Sequence, residues 1–158
     1  MRIFLMGCKD DLKLYIYRLK LPGEKEEIRY SLSPDMICEP GEEELFPKDI
    51  LVSGSLERID HEQWFLFLGV STQLSLRCCV CEKKFLHPIQ SIEISHLICF
   101  NDAKSGIFDC KDLIRQELLL ESDNFQECDK NGCPERGNII QFLKDRQKDK
   151  GNSPFDQL

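Results

Sequence analysis

Gln63-Trp-Phe-Leu-Phe-Leu-Gly-Val-Ser-Thr-Gln-Leu-Ser-Leu76 is the stretch on which the fold turns. Val70, Thr72, Leu74, Leu76 and, two residues on, Cys78 fall on one side by period-two alternation, the pattern of a strand with one buried face. Working outward, Ile50 to Ile59 carries the same strand signals, and His61 and Glu62 supply the turn between them. On the other side Ile89 to Phe100 reads as a third strand, with Ile92 and Ile94 on one face. Three consecutive strands with short connections predict an antiparallel meander. Leu12 to Leu21 reads as a further strand, closed by Pro22 and Gly23. After the meander, Cys110, Leu113, Ile114, Glu117 and Leu118 follow a helical spacing behind Asp109 as N-cap, and Ser122 to Asn124 end that helix. A second helix is expected from Asn138, with Ile139, Ile140, Phe142 and Leu143 as its buried side and Lys144 to Lys150 as a solvated run. The expected fold class is α+β: an antiparallel, open or barrel-like β-sheet packed with one or two helices from the C-terminal half.

The chain has 158 residues, which predicts one domain over residues 1–158 with enough length to bury a core. At 41% hydrophobic and 31% charged residues it has an ordinary globular balance. No apolar run approaches the ~18 residues of a membrane helix. The apolar Met1 to Met6 is followed at once by Lys9, Asp10 and Asp11, unlike an export signal. These features predict a cytoplasmic protein with no membrane partner. Twenty-one basic against 28 acidic side chains leave a net charge of −7, which argues against a broad, nonspecific grip on a phosphate backbone. The acid is concentrated. Glu24 to Glu62 holds twelve acids and four bases, a local −8, and everything outside it sums to +1. Residues 24–49, with Pro34, Pro40, Gly41 and Pro47, read as an acidic connector of loops, with a strand near Ile28 to Leu32. Residues 151–158 read as a short tail.

Nine cysteines are the unusual quantity. An odd count without an export signal argues against a secreted disulfide framework and leaves metal binding, redox chemistry or core packing. Cys78-Cys79-Val80-Cys81 lies where the second strand turns back, and a C-x-x-C at a hairpin tip is zinc-knuckle geometry. The second half of a site would be Cys128-Asp-Lys-Asn-Gly-Cys133, a C-x4-C with Asn-Gly as its turn. Cys78, Cys81, Cys128 and Cys133 would together hold one structural zinc with no open position for catalysis. Arg136 close behind would offset charge, and His87, six residues after Cys81, could serve as a replacement ligand, with a surface turn histidine as the plainer reading. Small buried side chains are the plain alternative for these cysteines, and the expected role of Cys8, Cys38, Cys99 and Cys110. A thiol redox protein using Cys78 and Cys81 competes. Such a pair wants its first cysteine at a helix N-terminus, and here strand-like alternation precedes it.

Other chemistry is thin. There is no phosphate-cradling glycine loop, nucleophile elbow or H-E-x-x-H, so no catalytic residues and no small-molecule substrate are assigned. Trp64, Phe65 and Phe67 could stack on bases if exposed, and core packing is the expectation. Basic side chains that could touch RNA are Arg77, Lys83 and Lys84 beside the first knuckle and Lys144, Arg146, Lys148 and Lys150 near the end, with ordinary solubilising roles as the alternative.

Leu74-Ser-Leu-Arg-Cys78-Cys-Val-Cys81-Glu-Lys-Lys-Phe85 resembles the hallmark of the YceD family, the large ribosomal RNA subunit accumulation proteins. Phe108-Asp-Cys-Lys-Asp-Leu-Ile-Arg-Gln-Glu-Leu-Leu-Leu120 is similar to the family's leucine-rich helix. Gly132-Cys-Pro-Glu-Arg-Gly137 is similar to its G-L-C-P-x-C-G, with Arg136 where many relatives have a last cysteine, and Asn152 to Leu158 resembles its closing element. The resemblance covers roughly Ile50 to Leu158. It implies a non-enzymatic accessory factor in ribosome biogenesis that supports synthesis, processing or stability of large-subunit ribosomal RNA. The partner would be precursor RNA or, given the acidic segment, a basic ribosomal or assembly protein.

Overall fold

The computed structural model describes residues 12–148, and the expected tail, Cys8 and Lys150 lie outside that range. The chain folds as an α+β protein. Strand β1 is Lys13–Tyr15, followed by a single 3-10 turn at Ile16–Arg18. β2 is Lys25–Leu32, β3 Ile50–Arg58, β4 Gln63–Arg77 and β5 Lys84–Cys99. β6 is Ile107–Asp109, helix α1 is Lys111–Ser122 and α2 is Arg136–Lys148.

The main sheet has the order β2-β3-β4-β5, and a two-stranded sheet pairs β1 with β6. Among the described residues neither closes into a barrel. β2 and β3 are antiparallel with Ile28 opposite Gly54, and β3 and β4 are antiparallel with Gly54 opposite Leu68. Hydrogen bonds at both ends of the β4–β5 pair, Phe100 N to Glu62 O and Cys78 N to Lys83 O, fix the third antiparallel step. Gly54 is needed where β3 and β4 approach closely. A Cβ there would run into the backbone of Phe67 and come within 2.8 Å of Leu68 Cα.

β4 alternates as its sequence predicts: Trp64, Leu66, Leu68, Val70, Thr72, Leu74 and Leu76 are all buried. Opposite strands and α1 add Ile28, Leu32, Ile50, Val52, Leu56, Ile98, Ile114 and Leu118. Of the three aromatics expected in the core only Trp64 goes inside, with the Arg58 guanidinium 5.4 Å from its ring centre. Phe65 and Phe67 carry the opposite parity and stay exposed on the outer face.

Other elements depart from the pattern. Leu12 to Leu21 yields a strand of only three residues, because the chain turns at Ile16 to bury that side chain. Residues 24–49 are more ordered than a solvated connector. β2 lies within them, Ile37 and Phe46 are buried, and Arg115 of α1 ion-pairs with Glu39 at 3.3 Å and Glu42 at 2.5 Å. β5 begins five residues earlier than predicted and runs through Pro88, which an edge strand tolerates because one side of its backbone has no ladder to feed. The N-cap of α1 is Cys110, and Asp109 Oδ1 accepts the Lys111 N–H beside it. Expected as the buried side of the second helix, Ile139, Ile140, Phe142 and Leu143 instead remain exposed along α2.

The chain groups into two compact units. One is built from residues up to Ser75 and Leu86–Asn124, and the other from Leu76–Phe85 and the residues from Phe125 onward. No helix among the described residues is long and apolar enough to cross a membrane.

Candidate metal centre

All four paired cysteines fall in the second unit. β4 ends at Arg77, and the chain reverses through a knuckle in which Glu82 N donates to Cys78 O and Cys78 N to Lys83 O, both at 3.0 Å. Glu82 takes φ +59°, the left-handed conformation that brings the chain back into β5. Val80 N–H points at Cys78 Sγ, 3.4 Å away. The second knuckle closes on itself in the same manner. Asp129 Oδ1 accepts the Asn131 N–H at 2.8 Å, Gly132 N donates to Asp129 O, and Gly132 sits at φ +103°. Cys79 N donates to Gln126 O at 3.0 Å, a strap that joins the two knuckles.

The sulfurs of Cys78, Cys81, Cys128 and Cys133 lie within 4.8 Å of one another, and Cys81 Sγ is 3.9 Å from Cys128 Sγ. A disulfide needs about 2.05 Å, and every described cysteine is free. A tetrahedron with ~2.3 Å metal–sulfur bonds has edges of about 3.8 Å, close to the 3.9 Å between Cys81 and Cys128, so the cluster could hold a tetrahedral thiophilic ion. The donor set is all sulfur, which suits zinc or an iron–sulfur centre and not magnesium or calcium. His87 lies on β5 and is not among the clustered donors.

Electrostatics distinguish the sulfurs. Burial pushes the Cys78 thiol up, but the backbone N–H groups of Cys81, Val80 and Cys128 converge on it and bring it down to about 6. Cys128 moves the other way, up to about 12, through burial and then hydrogen bonds with the Cys133, Cys78 and Cys81 sulfurs. Cys133 is also raised, chiefly by burial. The backbone amides thus favour negative charge at Cys78, whereas burial resists it at Cys128 and Cys133, and four thiolates would need a cation to coexist.

Glu127 was not visible as part of the site in the sequence. Its Oε2 accepts the Cys133 N–H at 2.5 Å, and its Oε1 pairs with the Arg136 guanidinium. Arg136 therefore neutralises Glu127, where the sequence suggested that it would offset the thiolates. Its sequence signal is only its place, directly before Cys128 and nine residues before a basic side chain.

The remaining cysteines divide. Cys110 is buried, as expected, whereas Cys38 and Cys99 are half-buried and Cys79 is exposed. Of the basic candidates, Arg77, Lys83, Lys84, Lys144, Arg146 and Lys148 all belong to the unit that holds the cage. Within the described residues that unit carries eight basic and five acidic side chains, net +3, and the first unit carries ten basic and nineteen acidic, net −9. Family models, curated proteins and solved structures give no match to this chain.

Proposed function

We propose that this chain is a non-enzymatic accessory factor of ribosome biogenesis whose second unit is stapled by one structural zinc. In this reading the unit contacts large-subunit precursor RNA or a protein bound to it. The observation that carries the metal is the poverty of the second unit's core. Its 34 described residues fully bury Leu76, Cys78 and Cys133 and no other apolar side chain. A unit this small with so little apolar burial usually needs a metal or disulfides to hold it. Cys78, Cys81, Cys128 and Cys133 would hold the ion, which would tie the hairpin tip to the loop before α2. Four protein thiolates leave no open coordination position, so the centre would be structural.

The ribosomal part of the proposal is supported by the resemblance of the Cys78–Phe85 and Gly132–Gly137 segments to the YceD family. The charge division supports it too, because the basic side chains gather in the cage-bearing unit. The acid of the first unit would then favour contact with a basic protein over naked RNA on that side.

Two measurements test the proposal. Metal analysis of the purified chain should give one zinc per chain, with thiols protected from titration until a chelator is added. A metal-free chain that forms a reversible Cys78–Cys81 disulfide would support a thiol redox protein instead. Sedimentation of the tagged chain in its own cells should show comigration with large-subunit precursors. Crosslinks to their RNA would assign direct contact, and comigration without them would move the contact to a protein. Absence from those fractions at every growth stage would end the ribosomal reading.

A further inference from the structure

Between the first knuckle and α2 the second unit has a groove of about 410 Å³. Val80, Cys81 and Lys83 form one wall, and Glu135, Ile139 and Phe142 lie on the other. The apolar stripe of α2 continues beyond it. Ile139, Ile140, Phe142 and Leu143 are 42%, 47%, 60% and 52% exposed, and their spacing places them along one side of the helix. A helix with this stripe ordinarily buries it, and here four large side chains keep about half their surface in water. Basic groups border the stripe. Lys83 stands on the knuckle wall, Lys144 follows Leu143, and the Arg146 guanidinium lies 5.8 Å from the centre of the Phe142 ring.

We propose that the groove between the Cys78–Cys81 knuckle and α2 is a docking site for an acidic amphipathic helix of a protein partner. The apolar floor calls for aliphatic or aromatic anchors at i, i+3, i+4 and i+7, the recognition mode in which a helix is laid into a groove. Charge complementarity selects the sign of the partner. Arg136 is taken up by Glu127, but Lys144 and Arg146 border the stripe of α2 against Asp145, in a unit of net +3. A second copy would bring two basic faces together, so the same charges argue against self-pairing through α2. RNA suits the floor poorly. Its one ring, Phe142, already has Arg146 over it, and its other apolar walls are aliphatic, which leaves little for bases to stack on.

The inference rests on the second unit being a metal-closed module, and it stands whether or not the partner belongs to ribosome assembly. A photo-crosslinking benzoylphenylalanine is placed at Phe142 in the full chain, in its own cells, with Phe65 on the sheet as control. Crosslinked peptides are sequenced by mass spectrometry, and metal content is measured on the same preparations. The expected product is a protein segment with apolar residues at three- and four-residue spacing among Asp and Glu. It should form at Phe142 and not at Phe65. Its yield should fall at least tenfold in a Lys144→Glu/Arg146→Glu double variant, whose exposed changes leave metal content intact. With metal content normal, crosslinks to a second copy, to the chain's own C-terminal residues or to RNA would overturn the proposal, as would no crosslink at all. Loss of metal in the unsubstituted chain would instead fault the module reading.

Discussion

Glu127 uses one carboxylate twice. Oε2 holds the Cys133 N–H and Oε1 holds Arg136, so it fixes the end of the second knuckle to the start of α2. Groups that orient metal ligands in this manner typically contribute 10–100-fold to metal affinity when removed. Glu127→Ala should therefore weaken zinc by about that factor. Glu127→Gln should cost less, because an amide oxygen can still accept the Cys133 N–H. Competition against a coloured chelator measures both, and an unchanged affinity in Glu127→Ala would remove Glu127 from the site. The clustering of the four cysteines was legible because C-x-x-C and C-x4-C put sulfurs at turn spacing. Glu127 was not, since an acid beside thiolates reads as repulsive until Arg136 is seen to neutralise it.

At the level of elements, legibility follows alternation and length. β3 and β4 were placed to within a residue because one face of each is buried, which imprints period two on the sequence. β1 and β6 are three residues each, too short to show a period, and they find one another only across the fold, Leu14 opposite Phe108. The start of α1 shows the same limit. Cys110 caps it, and both its N–H and its thiol donate to Leu12 O, at 2.9 and 3.0 Å. Burial, followed by the Asp109 charge, pushes that thiol from its ordinary 9.0 up to about 12. A raised thiol keeps its proton in the folded chain when the unfolded chain has lost it. The stabilisation is therefore complete below pH 9 and is lost as pH rises towards 12. Each pH step in that window costs at most ~1.4 kcal/mol from this group. Cys110→Ala leaves Leu12 O its backbone donor, so the variant should fall less steeply than the parent between pH 9 and 11 in urea titrations. Parallel pH profiles would show that the Cys110 thiol ionises freely in the fold.

For the whole molecule, the sequence showed the acid gathered in Glu24 to Glu62. It did not show that the complement, near neutral in sum, resolves into a basic cage-bearing unit, because that unit is assembled from two segments 39 residues apart. The same discontinuity hides how differently the two units are held. The first has the four-stranded sheet and nearly all the buried apolar side chains, so burial can stabilise it without help. The second has Leu76 and two cysteines among its described residues, and in the proposed reading an ion would supply the rest, at an apparent ~10–16 kcal/mol for structural zinc near neutral pH. Chelation should then act on one unit alone. In hydrogen exchange, a strong chelator should strip protection from amides in the Cys78–Lys83 turn and the 126–136 segment. β2, β3 and the Leu66–Leu74 part of β4 should exchange at their former rates, and readding zinc should restore the rest. Protection unchanged in both units would mean that the four sulfurs carry no stabilising ion. Loss in both would mean that the sheet's own burial is insufficient, contrary to the density of apolar side chains that β4 brings inside.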